Sequence, residues 1–247
     1  MKYMNWQAML GLSLIVLSVI FYVIHFLIFR DSHHIFIFLM GDVAFVFTEV
    51  LLVTLIIHRL LDVREKKARL EKMNMVIGVF FSEIGTKLLA YLSCFDDQLE
   101  QIRKELIVDT RWSHAEFVRV SKRLKTYKYH IDLERSHIED IRTFLTDKRN
   151  FLLRLLENPN ILEHETFTEL LRAVFHLTEE LAGREELHDL PDSDHKHLTF
   201  DAKRVYILLV HEWLDYMKHL KSNYPYLFSF AIRSNPFDQD SCLIVQE

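Results

Sequence analysis

Glycine and proline are scarce, with five and four residues among 247. Most of these breakers stand near segment ends, so the composition favours long helices over tightly turned sheets. Cysteine is scarcer still, only Cys94 and Cys242. Both fall on the side assigned below to the reducing cytoplasm, and no disulfide is expected. There is also no Gly-rich phosphate loop, no G-x-S-x-G, no H-E-x-x-H and no paired C-x-x-C. Catalysis lacks a starting residue, and no enzyme activity and no cofactor are expected. An excess of positive charge is missing too: 30 Lys and Arg are interleaved with 35 Asp and Glu, for a net charge of -5. No basic face marks a nucleic-acid partner.

What is plentiful is uninterrupted apolar sequence. A bilayer core about 30 Å thick takes roughly 20 helical residues at about 1.5 Å each. Met9 to Phe29 meets that length without a Lys, Arg, Asp or Glu, and Ile35 to Ile57 meets it while carrying Asp42 and Glu49. A secretory signal would have an apolar core of about 7–15 residues ending at a small-residue cleavage site, whereas this first run is longer and closes on Phe29-Arg30. Only Arg30 to His34 separates the two runs, so they form an antiparallel hairpin. Arg59, Arg64, Lys66, Lys67, Arg69 and Lys72 follow the second run, against Arg30 alone in the connection. Basic residues stay on the cytoplasmic side, which places this cluster at the membrane surface and both termini in the cytoplasm of a multi-pass protein of the cell (inner) membrane.

Asp42 and Glu49 each oppose insertion by about 2.5–3.5 kcal/mol at mid-membrane, and each Leu, Ile, Phe or Val returns about 0.3–0.6. The helix still inserts, but the carboxyls need protein or water beside them. Seven residues is nearly two turns, so both lie on one face, roughly 10 Å apart along the axis. Gly41, Ala44 and Thr48 flank that face and permit close approach of a neighbour. His25 on the first run is the nearest candidate partner. Asp42, Glu49 and His25 therefore form an intramembrane polar site with two readings: contact between helices or subunits, or an ion or proton pathway. Two helices enclose no pathway alone, so both readings call for self-association and imply a homo-oligomer in a lipid bilayer.

The fold class expected is all-α, an N-terminal transmembrane hairpin followed by a cytoplasmic helical bundle. Residues 1–72 form the hairpin and a stalk, 73–234 the helical domain, and 235–247 a flexible tail. Met73 to Phe95 is apolar on several faces and reads as the buried central helix, continuing to Val108, with Gly78 and Gly85 allowing close crossings. A membrane-surface segment is the alternative for this stretch. Ser113 with Glu116, and Thr166 with Glu169, match capping boxes that open further helices. A helix from Asp132 reaches Asn158-Pro159, the one begun by Thr166 stops at Gly183, and Glu185 to His197 reads as a polar surface loop. The last long helix covers about 199–222, and Pro225 introduces a shorter one.

Metal chemistry is weakly signalled and no metal site is expected. Glu134-x-x-His137 and Glu185-x-x-His188 have the spacing of helical di-iron ligands, but with so many Glu and His such pairs arise by chance. His188, Asp192, Asp194, His195 and His197 form the densest ligand cluster, in which His195-x-His197 suits zinc; a solvated loop has the same composition. His33 and His34 beside Asp31 point in different directions on most backbones. The run Tyr224-Pro225-Tyr226-Leu227-Phe228-Ser229-Phe230 needs an apolar partner: the domain itself, another subunit or lipid headgroups.

Three stretches, Tyr22 to Asp31, Glu49 to Leu61 and Asn223 to Phe228, resemble an uncharacterised prokaryotic family of two-span membrane proteins with a helical cytoplasmic domain. The resemblance covers about a third of the chain; it implies membrane placement and transfers no activity and no site residue. The sequence thus points to a non-enzymatic, self-associating membrane protein presenting a helical domain for sensing, scaffolding or regulation. The alternative is a small oligomeric ion channel or proton-coupled conductor lined by the intramembrane acids.

Overall fold

A computed structural model describes residues 6–133, 135–159, 161 and 164–241, with the side chains at 7, 8, 67–70, 135 and 136 outside the described set. Among the described residues the chain is all-α, with no strand and one isolated antiparallel bridge between Asp96 and Ile131. It divides into two compact units, Met1–Lys66 and Lys67–Glu247.

The first unit holds α1 (Trp6–Phe29) and the start of α2 (Ser32–Phe80). Their connection is shorter than the expected Arg30 to His34, because His33 and His34 already belong to α2. Arg30 takes a left-handed backbone with φ of 51°, and its N–H closes back on the Phe26 carbonyl at 2.8 Å. Asp31 Oδ1 then accepts from the His34 N–H at 3.1 Å and caps the next helix. Nearly every apolar side chain of this unit is exposed, from Trp6 through Val63. Two helices here are long and apolar enough to cross a membrane, by length and composition.

In the second unit the end of α2 passes through a π-helical stretch, Phe81–Gly85, into α3 (Thr86–Ser93). Ile77, Phe80, Phe81, Ile84, Leu88, Leu89 and Leu92 are all buried, while Met75 and Val79 of the same stretch stay exposed, so burial is confined to part of the helix surface. Gly85 is demanded by packing: a Cβ there would fall 2.6 Å from the Phe81 ring and 2.9 Å from the Phe80 ring. Gly78 lets α2 approach the Tyr216 hydroxyl, 3.2 Å from where its Cβ would stand.

The helix does not continue to Val108. It ends at Ser93, and the chain turns before α4 (Glu100–Leu106). Asp96 is buried in that turn and accepts from the Tyr127 hydroxyl at 3.1 and 3.0 Å, while the Asp132 N–H donates to the Phe95 carbonyl at 3.2 Å. Burial raises the Asp96 carboxyl above its ordinary pKa. A tertiary contact breaks this helix where no Pro or Gly does.

α5 (His114–Thr126) starts at the expected box, with Ser113 Oγ accepting from the Glu116 N–H and the Glu116 carboxylate accepting from the Ser113 N–H. α6 (Arg135–Leu156) and α7 (Glu165–Ala182) follow. The second expected box is not formed. The N-cap is His164, whose Nδ1 accepts from the Phe167 N–H at 3.2 Å, and Thr166 lies inside the helix.

α8 (Asp192–Asn223) is longer than expected and takes in the second half of the supposed polar loop. Pro191 stands at its N-cap, with Asp192 and Asp194 in its first turn, where acids suit the positive end of the helix. This helix, not the segment from Met73, is the hub: it packs against α3, α5, α7, the π-helical stretch and α9 (Pro225–Arg233). Val205, Tyr206, Leu209, Val210 and Met217 are shut off from solvent along it.

The reading of 235–247 as a flexible tail is corrected at its start. Asn235 Nδ2 donates to the Leu106 carbonyl at 2.9 Å, and Phe237 is fully buried with its ring 5.0 Å from that of Trp213. Residues 242–247, Cys242 among them, lie outside the described set, and Cys94 is a free, exposed thiol. Of the aromatic run, Phe228 is buried in the domain, while Tyr226 and Phe230 remain exposed. Phe237→Ala should therefore cost about 3–5 kcal/mol, and Phe230→Ala no more than about 0.5 kcal/mol. Tryptophan-monitored melting of the detergent-solubilised chain measures both, and equal effects would place Phe237 outside the core.

Candidate functional site

The expected intramembrane residues lie in the first unit. His25 and Asp42 line one cleft of about 710 Å³ together with Ser18, Tyr22 and His34. The His25 and His34 rings are parallel to within 4°, with centroids 6.2 Å apart, and the buried Nδ1 of His25 has no hydrogen-bond partner. Glu49 does not line this cleft, so two of the three expected residues are brought together. Asp42 and Glu49 are exposed and form no ion pair among the described residues. Of the basic cluster, Arg59, Arg64 and Lys66 are exposed on α2. Lys67 and Arg69 are helical, with side chains outside the described set.

A second constellation, missed at the sequence level, lies between α7 and α8. His176 and Glu180 stand one turn apart on α7, and His197 and Asp201 one turn apart on α8, so each pair shares a helix face. The packing of α7 on α8 brings the four together. Asp201 Oδ2 lies 3.4 Å from His176 Nε2 and 3.4 Å from His197 Nε2. Glu180 Oε1 is 3.9 Å from His176 Nε2, and its Oε2 is 3.6 Å from His197 Nε2. The histidine side chains are 51% and 50% exposed, whereas that of Asp201 is 7% exposed. Buried Oδ2 of Asp201 has no hydrogen-bond partner.

Arg184 fixes one edge of this group. Its guanidinium grips Asp194 through two hydrogen bonds of 2.7 and 2.6 Å and reaches Glu180 Oε2 at 2.9 Å. Both carboxylates are held below their ordinary pKa by that guanidinium. A cleft of about 860 Å³ opens onto His176 and Asp201 and is lined further by Glu165, Glu169, Arg172 and Arg204.

The weak metal-ligand patterns of the sequence fare differently. His195 does not pair with His197; its Nε2 lies 2.7 Å from the Leu133 carbonyl. Asp194 is taken by Arg184, and His188 is exposed in the loop before α8. Glu185-x-x-His188 is off any helix, and Glu134 lies outside the described residues. The signal available in the sequence was the pair of one-turn spacings, His176-x-x-x-Glu180 and His197-x-x-x-Asp201. The second was obscured because its histidine fell in the expected loop.

Comparison with known proteins places these elements in context. Residues 2–61 match the family model described as "MJ1433, N-terminal helical domain", and residues 69–233 match "Uncharacterized protein MJ1433, C-terminal helical domain". A curated relative from Methanocaldococcus jannaschii, named "Uncharacterized protein MJ1433", is 45% identical over 243 residues, covering 98% of each chain. No solved structure matches.

The Arg184 clamp generates a pH prediction. A carboxylate whose folded-state pKa is depressed adds stability that is present above its unfolded pKa and lost as pH falls through the folded value. Glu180 and Asp194 should thus supply stability at neutral pH that fades below about pH 4.5. Arg184→Met should lower stability at pH 7 by about 1–3 kcal/mol and flatten the acid limb of melting temperature against pH. An unchanged acid limb would show that the clamp does not form.

Proposed function

The chain belongs to the MJ1433 family, and we propose that it is a non-enzymatic integral membrane protein. In this reading the spans of about 9–29 and 35–57 cross the bilayer as a two-helix hairpin, both termini lie in the cytoplasm, and the second unit is a cytoplasmic helical domain for sensing, scaffolding or regulation. One observation carries the proposal: the 18-residue apolar windows of both candidate spans are 0% buried. A soluble core helix buries its apolar face against its own chain. Side chains such as Ile15, Phe21, Phe47 and Leu52 stay open, and lipid covers such a surface without ordering more protein.

Self-association follows from solvation. Asp42 and Glu49 are exposed and have no ion-pair partner among the described residues, and carboxyls in hydrocarbon require a companion helix or water. A second copy of the hairpin supplies both, with Gly41, Ala44 and Thr48 at the contact. The orientation rests on Arg59, Arg64, Lys66, Lys67 and Arg69 after the second span. A conducting assembly is the second reading, supported by the cleft that joins His25, His34 and Asp42.

Native mass measurement of the detergent-solubilised chain should show an oligomer. Asp42→Asn and Glu49→Gln should weaken its assembly, at about 0.6–1.7 kcal/mol per lost contact. Monomer alone would contradict self-association. Proton or cation flux in reconstituted vesicles that these substitutions abolish without altering the mass would select the conducting assembly over simple helix contact. Cysteines placed at residue 3 or 240 should react with an impermeant maleimide only after cells are opened, and labelling of intact cells would reverse the orientation.

A further inference from the structure

We propose that His176, Glu180, His197 and Asp201 bind one divalent transition-metal ion of the zinc class in the groove between α7 and α8. This goes beyond the membrane reading and does not depend on it. Two imidazole nitrogens and two carboxylates form the mixed donor set that suits zinc and its neighbours rather than calcium or magnesium, which prefer oxygen alone.

The geometry fits such an ion. With ligand distances of about 2.0–2.2 Å, a tetrahedral centre holds its ligand atoms about 3.3–3.6 Å apart. Both contacts of Asp201 Oδ2 with the imidazole nitrogens are 3.4 Å, and His197 Nε2 lies 3.6 Å from Glu180 Oε2. His176 Nε2 lies 3.9 Å from Oε1, the other oxygen of the Glu180 carboxylate. His176, Glu180 and His197 each offer a ligand atom within 4.8 Å of the others; Asp201 is not of that group and joins it through its contacts with the two imidazoles.

The second, independent observation is Asp201 itself. Its side chain is 7% exposed, its Oδ2 is buried without a hydrogen-bond partner, and that oxygen faces both imidazole nitrogens. A buried carboxylate oxygen facing two ring nitrogens, with no hydrogen bond to either, is an unsatisfied arrangement. A cation at their centre satisfies all of them at once, and two carboxylates neutralise its two charges.

The surroundings complete the site. Arg184 donates to Glu180 Oε2 at 2.9 Å, orienting that carboxylate, and is itself anchored by Asp194. The cleft lined by His176, Asp201, Arg172 and Arg204 gives an ion a route from solvent. Each helix contributes a one-turn pair, so binding ties the C-terminal half of α7 to the first turns of α8.

The test is titration of the full, metal-stripped chain in detergent with Co²⁺ and Zn²⁺. Bound metal is counted by elemental analysis, and ligand field is read from the visible Co²⁺ spectrum. The result expected is one ion per chain with tetrahedral or five-coordinate Co²⁺ bands. His176→Gln and His197→Gln should each weaken binding by more than about 100-fold, beyond the range for losing an outer-shell partner. His188→Gln, in the exposed loop, should leave binding unchanged. Asp201→Asn, which keeps the side-chain volume, supplies a readout that a structural role would not give: its metal affinity should fall while the melting temperature of the metal-free variant stays near that of the metal-free wild type. Failure of the folded wild-type chain to take up either ion stoichiometrically overturns the site. So does binding that survives both histidine substitutions.

Discussion

Exposed hydrocarbon is the constraint to which the whole chain answers. From Trp6 to Val63 the first unit holds apolar side chains in long helices and buries almost none of them within itself. At about 25 cal/mol per Å² of apolar surface, leaving two such helices in water is costly. Lipid, other copies or further protein would cover them. The membrane proposal is the simplest way to meet that demand, and it makes Asp42 and Glu49 the residues whose solvation has to be explained.

The second unit meets the opposite demand, because it buries its own core. α8 is its axis, and the surrounding helices present Phe80, Phe167, Leu171, Val174 and Trp213 to the interior. Aromatic edges lock the centre: Phe80 stands edge-on to both Phe81 and Phe167, with centroids 5.4 and 5.3 Å apart. Some polar groups enter this core with partners, as Asp96 does with Tyr127 and Asn235 with the Leu106 carbonyl. Others do not: the Tyr129 hydroxyl, Thr199 Oγ1 and Asp201 Oδ2 are buried without a hydrogen-bond partner. What sets Asp201 apart from those two is the pair of imidazole nitrogens 3.4 Å from its oxygen, in the groove between α7 and α8.

What the sequence made legible was local. The apolar runs follow from counting residues, the Ser113 box from a pattern four residues long, and the stop at Gly183 from the last turn of α7. What it hid depended on tertiary contact or on an unusual residue in a common role. Histidine is not a usual N-cap, so His164 was passed over in favour of Thr166. The break at Ser93 depends on Tyr127 reaching Asp96 from 31 positions away, which no window reveals. Phe237 reads as part of a polar tail until Trp213 is seen beside it. At Pro191 the signal was present and misread: proline followed by Asp192 and Asp194 announces a helix start, yet the charged residues beyond suggested a loop. That misreading separated His197 from Asp201 and concealed the cluster.

Alkaline carbonate extraction of membranes from cells producing the full chain tests the central claim most directly. It strips proteins held by surface charge and leaves those held by hydrocarbon. The account predicts that the chain stays in the membrane pellet and is released only by detergent. Recovery of the folded chain in the carbonate supernatant, or in the soluble fraction before extraction, would mean that α1 and the start of α2 are covered by protein, and would contradict it.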